Sequence, residues 1–126
     1  MIPLVQRHCK PCEGGTEPLP ASAAQTLLED VKGWELVDLP AAPGTSSRGA
    51  AQAGGTAIRK VVTCKDFSDA VALMQKIAPI ANAQDHHPDL HLTNYRRLTI
   101  ELSTHSIGGL SENDFILAAK IDQLLR

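Results

Sequence analysis

The chain has 126 residues, 43% of them hydrophobic, a formal net charge of −2 and four aromatic residues, Trp34, Phe67, Tyr95 and Phe115. That length fits one domain with a core of its own, while interspersed charges and scarce aromatics exclude a phosphate-binding face or a base-stacking platform, so no nucleic acid partner is expected. No apolar run approaches the ~18 residues of a membrane span and Met1–Lys10 lacks the apolar core of a secretory signal; the chain reads as soluble and intracellular, in the cytoplasm, or in a plastid or mitochondrion if a transit peptide precedes it.

Residues 1–20 read as an irregular segment. Cys9-Lys10-Pro11-Cys12 beside His8 has the spacing of half a zinc site, but a structural zinc needs four ligands and no second pair follows. Three cysteines in all fit a reducing compartment better than a disulfide framework, and no metal is expected. Pro20–Gln25 predicts a helix start with Ser22 as N-cap and Gln25 completing a capping box. Ala24, Leu27, Leu28 and Val31 then share one face, and Gly33 ends the helix. Trp34–Leu39 reads as a strand stopped by Pro40. Residues 41–56, rich in Ala, Gly and Ser with Arg48 as the single charge, read as a loop insert with nothing to bury. Ile58–Cys64, rich in β-branched residues, is the returning strand.

Asp66 can cap the next helix, whose apolar face runs Phe67, Ala70, Val71, Met74, Ile77, Ala78, Ala81. Pro79 cannot donate to the Gln75 carbonyl and predicts a kink or an early end. Leu90–Thr93 and Leu98–Leu102 alternate apolar and polar residues, as half-buried strands do. A hairpin turning at Asn94–Arg97 pairs residues whose numbers sum to roughly 190, which sets His86 and His87 across from Leu102–His105. Pro88 pushes His87 out of helical backbone into an extended one. Gly108-Gly109 permits a turn with positive φ. Ser111 then caps a last helix, with Asp114 at its third position, a Leu110–Phe115 staple, and a buried face of Leu117, Ala118, Ile121, Leu124 and Leu125. A helix followed by two strand-strand-helix units predicts an α+β two-layer domain over residues 21–126: a four-stranded antiparallel sheet with helices on one face.

Three imidazoles at one hairpin end have no packing rationale, and imidazole both gives and takes a proton near neutrality. His86, His87 and His105 are therefore the catalytic candidates; His8 and His91 read as ordinary surface or core residues. A metal site built from the three is the competing reading. Adjacent histidines in extended backbone diverge, which disfavours it.

His86-His87-Pro88-Asp89, the strand ending in Ser103-Thr104-His105, Gly108-Gly109-Leu110-Ser111 and a helix with Asp114 and Ile121-Asp122 together resemble the pterin-4a-carbinolamine dehydratases. The likeness runs from about Trp34 to the C-terminus, the insert excepted, and His-His-Pro-Asp-Leu-His-Leu-Thr-Asn-Tyr looks closer to plant and some bacterial members than to animal ones. The resemblance implies dehydration of a 4a-hydroxytetrahydropterin without a cofactor, by a homodimer or homotetramer whose partner is the small-molecule pterin. It implies His86 and His105 as acid/base groups, His87 as a pterin holder, and Pro88, Thr104, Ser106 and Ile107 around the substrate. Asp114, orienting His105 or capping the helix, and Asp85 would support them. Animal members carry an acidic residue where this chain has Asn82, and one residue fewer between the histidine segments; the extra one falls near Asn94-Tyr95, in a bulge or longer turn. The alternative function is a dimerisation cofactor of the coactivator type, which some animal relatives serve as.

Overall fold

The computed structural model describes residues 3–7, 9, 19–38, 56–104 and 109–125. A 3₁₀ turn at Leu4–Gln6 precedes α1 (Ala21–Leu28), β1 (Glu35–Asp38), β2 (Thr56–Thr63), α2 (Phe67–Gln84), β3 (Asp89–Thr93), β4 (Arg97–Leu102) and α3 (Glu112–Leu124). The four strands form one antiparallel sheet in the order β1-β2-β4-β3. Its central ladder, from Ile58 opposite Leu102 to Thr63 opposite Arg97, joins the two strand-strand-helix units. The α+β expectation holds. The insert, apart from Thr56, lies outside the described residues, but Asp38 and Thr56 are register partners at its two ends.

Strand alternation sorts the two faces. On β4, Leu98, Ile100 and Leu102 are fully buried, while Arg97, Thr99 and Glu101 point the other way. The buried face meets α2 through Ala70, Leu73, Ile77 and Ala81, and α3 through Phe115, Leu117, Ala118 and Ile121. The opposite face carries a surface cluster in which Arg59 Nε donates to Glu101 Oε2 at 2.7 Å and His91 Nε2 lies 3.2 Å from Glu101 Oε1. On the helix side of the sheet, Lys60 Nζ meets Asp122 Oδ1 at 2.8 Å, and Trp34 Nε1 donates to the same oxygen at 3.0 Å. These contacts tie the start of β1 and the middle of β2 to α3.

Several local expectations are corrected. Ser22 is not the N-cap: α1 begins at Ala21 behind Pro20, whose φ of −66° is already preset, and Leu19 N–H bonds to Leu110 O at 2.8 Å. Ser22 instead lies within the helix, its carbonyl accepting from Thr26 Oγ1 at 3.0 Å. The helix stops at Leu28, and Asp30 and Val31 bond three residues back before Gly33, at φ +86°, turns the chain into β1. A Cβ on Gly33 would sit 3.2 Å from Lys60 Cε and Nζ. On α2, Phe67 and Ala78 are exposed and Leu73 takes their place in the core. Nor does α2 end early, since Pro79 faces solvent and the helix continues to Gln84. The N-terminal segment, expected to be irregular, makes a 3₁₀ turn with Leu4 buried. Among the described residues no helix is long and apolar enough to cross a membrane.

Candidate active site

The site begins with how α2 ends. Asp85 adopts φ 51° and ψ 42°, the left-handed conformation, which lets its N–H reach Asn82 O and the N–H of His86 reach Ala81 O, both at 3.2 Å. This pair of bonds is a Schellman motif. Asp85 thus supports the site through its backbone, its side chain being exposed. Pro88 disfavours helical backbone at His87, and β3 starts at Asp89.

The hairpin keeps one register from Thr93 opposite Arg97 to Asp89 opposite Glu101, each pair summing to 190. The ladder carries no bulge, and in the turn Asn94 and Tyr95 both have positive φ, 47° and 55°. Beyond β4, Thr104 bridges Gly109, its N–H donating to Gly109 O at 2.8 Å. His105, Ser106 and Ile107 lie between these two residues in the chain and outside the described residues, as do His8 and Cys12.

His86 Nε2 lies 2.6 Å from Asp114 Oδ1. The carboxylate is fully buried and the imidazole 11% exposed. Asp114 stands at the third position of α3 and closes a capping box with Ser111. Its Oδ2 accepts from Ser111 N–H at 3.0 Å and from Thr104 Oγ1 at 2.9 Å, and Thr104 Oγ1 is 2.7 Å from Ser111 Oγ. An ionised carboxylate only accepts. Thr104 therefore spends its proton on Asp114, Ser111 donates to Thr104, and His86 turns Nε2–H toward the carboxylate; this tautomer is assigned from the network. The consequence is chemical. The remaining nitrogen, Nδ1, is left available to donate or accept, while the buried carboxylate fixes the orientation of the ring.

His87 turns elsewhere, its Nε2 lying 2.9 Å from Asn82 Oδ1 at the surface. The two adjacent rings diverge to separate partners, and among the described residues no group of three or more His, Cys, Asp or Glu is placed to hold a metal ion. Thr104 commits its hydroxyl to Asp114 and its backbone to Gly109, so it braces the carboxylate and closes the segment that carries His105. Asp114 performs the capping expected of it and pairs with His86, while His105, its expected partner, lies outside the described residues. Sequence reading missed Ser111 as a hydroxyl relay and Asn82 as a partner of His87. A polar residue five positions before His87, on the last turns of a helix that delivers it, was the available signal.

The model of the pterin 4 alpha carbinolamine dehydratase family matches residues 17–124. The chain belongs to this family. A putative pterin-4-alpha-carbinolamine dehydratase of Nitrosomonas eutropha is 38% identical over 97% of this chain and 93% of its own length. A probable chloroplastic pterin-4-alpha-carbinolamine dehydratase of Arabidopsis thaliana is 40% identical over 98% of this chain, which spans 51% of that protein. The crystal structure of a protein titled transcriptional coactivator/pterin dehydratase from Brucella melitensis superposes with a TM-score of 0.65 at 29% identity, covering 86% of this chain and 98% of that one. The pterin 4 alpha carbinolamine dehydratase match includes every candidate site residue and leaves out residues 1–16.

Proposed function

We propose that this chain removes water from a 4a-hydroxytetrahydropterin to give the quinonoid dihydropterin, in the recycling of a tetrahydropterin. Family membership supports the substrate class, and one observation supports the chemistry: an imidazole held 2.6 Å from a fully buried carboxylate. In this reaction the C4a–O bond breaks, the hydroxyl leaves as water after gaining a proton, and a ring N–H loses one. Nothing is oxidised overall, so no redox cofactor is assigned. Hydroxide is a poor leaving group, which calls for an acid at the oxygen and a base at the nitrogen. His86, through Nδ1, and His105 supply the acid and the base, each serving as the acid for one of the two 4a epimers. His87, seated on Asn82, holds the pterin with Pro88 and the backbone of Thr104, Ser106 and Ile107. The working assembly is a homodimer or homotetramer, measurable by light scattering. A coactivator role is named for the Brucella melitensis protein, and no contact among the described residues favours it here.

Stopped-flow dehydration of 4a-hydroxytetrahydropterin made in situ tests the reading. His86→Ala and His105→Ala should each lower turnover by about 10² to 10⁴, and each should leave the opposite 4a epimer unreacted, because the two acids stand on opposite faces of the ring. His87→Ala should weaken binding more than it slows the bound chemistry. A His105→Ala variant that dehydrates both epimers at the unmodified rate would make His105 a structural residue.

A further inference from the structure

The N-terminal segment plays no part in the chemistry above, and the family match begins only at residue 17. Its described residues nevertheless lie along α3 and reach α2. Leu4 is buried in the core, Lys120 Nζ of α3 donates to Val5 O at 2.8 Å, and Arg7 Nη1 is 3.4 Å from Glu112 Oε2 in the first turn of α3. Cys9 then makes contacts in two directions. Its backbone N–H donates to Gln84 Oε1 at 2.8 Å, and its thiol donates to Asn113 O at 3.6 Å.

The positions of those two acceptors matter. Gln84 is the last residue of α2, two before His86, and Asn113 immediately precedes Asp114. One residue thus bridges the C-terminal end of α2 and the N-terminal end of α3, the ends that bear the two members of the imidazole–carboxylate pair. Hydrogen bonds weaken steeply with misalignment, and a catalytic pair works only when held within about 0.5 Å of its productive geometry. We propose that the strap Leu4–Cys9, through the Cys9 bridge, is a positioning element that fixes the spacing of the α2 and α3 ends and so the alignment of His86 on Asp114. Its effect on turnover rests on the reading of His86 as a proton-transfer group; its effect on the pair does not.

The test uses the full chain with Gln84→Ala, which removes the acceptor for Cys9 N–H, Cys9→Ala, which removes the thiol contact, and Gln84→Glu, which keeps an acceptor oxygen. Two quantities are read: the steady-state constants for dehydration, and the far-downfield proton NMR resonance of His86 Nε2–H, assigned by its absence in Asp114→Asn. In the Cys9→Ala/Gln84→Ala double variant, kcat should fall by on the order of ten- to a hundredfold at unchanged KM, and the resonance should broaden through faster exchange with water. Thermal unfolding should stay cooperative. Gln84→Glu should keep both the resonance and kcat. An unchanged resonance in the double variant overturns the proposal, as does a Gln84→Glu that loses as much as Gln84→Ala. If the unsubstituted chain turns over no pterin, the functional reading fails while the resonance still decides the strap.

Discussion

At the scale of single residues, the carboxylate of Asp114 receives a ring N–H, a hydroxyl and a backbone N–H while wholly removed from water, so its charge and its shape are both in use. Asp114→Asn keeps the shape and forces a choice. If the amide oxygen stays with Ser111 N–H and Thr104, the NH₂ faces His86 and drives it into the other tautomer, with the proton on Nδ1. The expected result is a loss of turnover of about 10² or more and a stability loss of about 1–3 kcal/mol as charge-assisted hydrogen bonds become neutral ones, read by stopped flow and by chemical denaturation. Retained turnover would mean that the tautomer assigned to His86 has no part in the reaction. Cys64 is the other buried titratable residue with a clear consequence. Burial first, then the carboxylates of Asp69 and Asp66, pushes its thiol above the usual value. The unfolded chain therefore gives up this proton at a lower pH than the folded one, so the stability due to the neutral thiol is present below the unfolded thiol's ordinary value and lost as pH rises toward the folded one. Cys64→Ala should flatten the alkaline decline of the urea midpoint; an equal decline in both proteins would remove Cys64 as its source. The histidine pair was legible in the sequence because Pro88 fixes the backbone after it. The pairing of His86 with Asp114 was not, because twenty-eight residues separate them and only the packing of two helix ends brings them together.

At the scale of elements, what reads well is periodic and what reads poorly is terminal. The β3–β4 register follows from alternation and one turn, and the observed ladder keeps it throughout. The α2 stripe was read correctly at Ala70, Ile77 and Ala81 and misread beside them: Phe67, first in the helix, is 55% exposed and Ala78 is exposed, while Leu73 is buried. Helix ends depended on backbone conformations that composition signals weakly. Glycine is the usual left-handed residue after a helix, yet here Asp85 takes that conformation and thereby aims His86. If backbone is its contribution, Asp85→Gly should leave folding and turnover intact, whereas Asp85→Val, β-branched at positive φ, should cost about 1–2 kcal/mol and slow turnover by disturbing His86. Parallel denaturation and rate measurements check this. A loss with Asp85→Gly equal to that with Asp85→Val would place the role in the carboxylate instead.

At the scale of the whole molecule, the class of fold followed from the order of its elements, but the strand order did not. The β2–β4 ladder joins residues some forty apart, Ile58 with Leu102, and no local pattern specifies that partner over another. The two units are further locked by Lys60 and Trp34 on Asp122, contacts that only the finished packing creates. Asp38 and Thr56, at the two ends of the β1–β2 connection, already face each other across the ladder. A hairpin loop of two to five residues spans such a pair. Replacing residues 39–55 by a four-residue turn, such as one built on Asn-Gly, closes a loop about a quarter as long, which loop-closure entropy favours by about 1 kcal/mol. The shortened chain should therefore unfold at an equal or higher urea concentration and dehydrate its substrate at the parent rate. A shortened chain that folds as well as the parent but loses turnover would show that the insert contributes to the pterin site, placing a functional segment where its Ala-, Gly- and Ser-rich composition gave no sign of one.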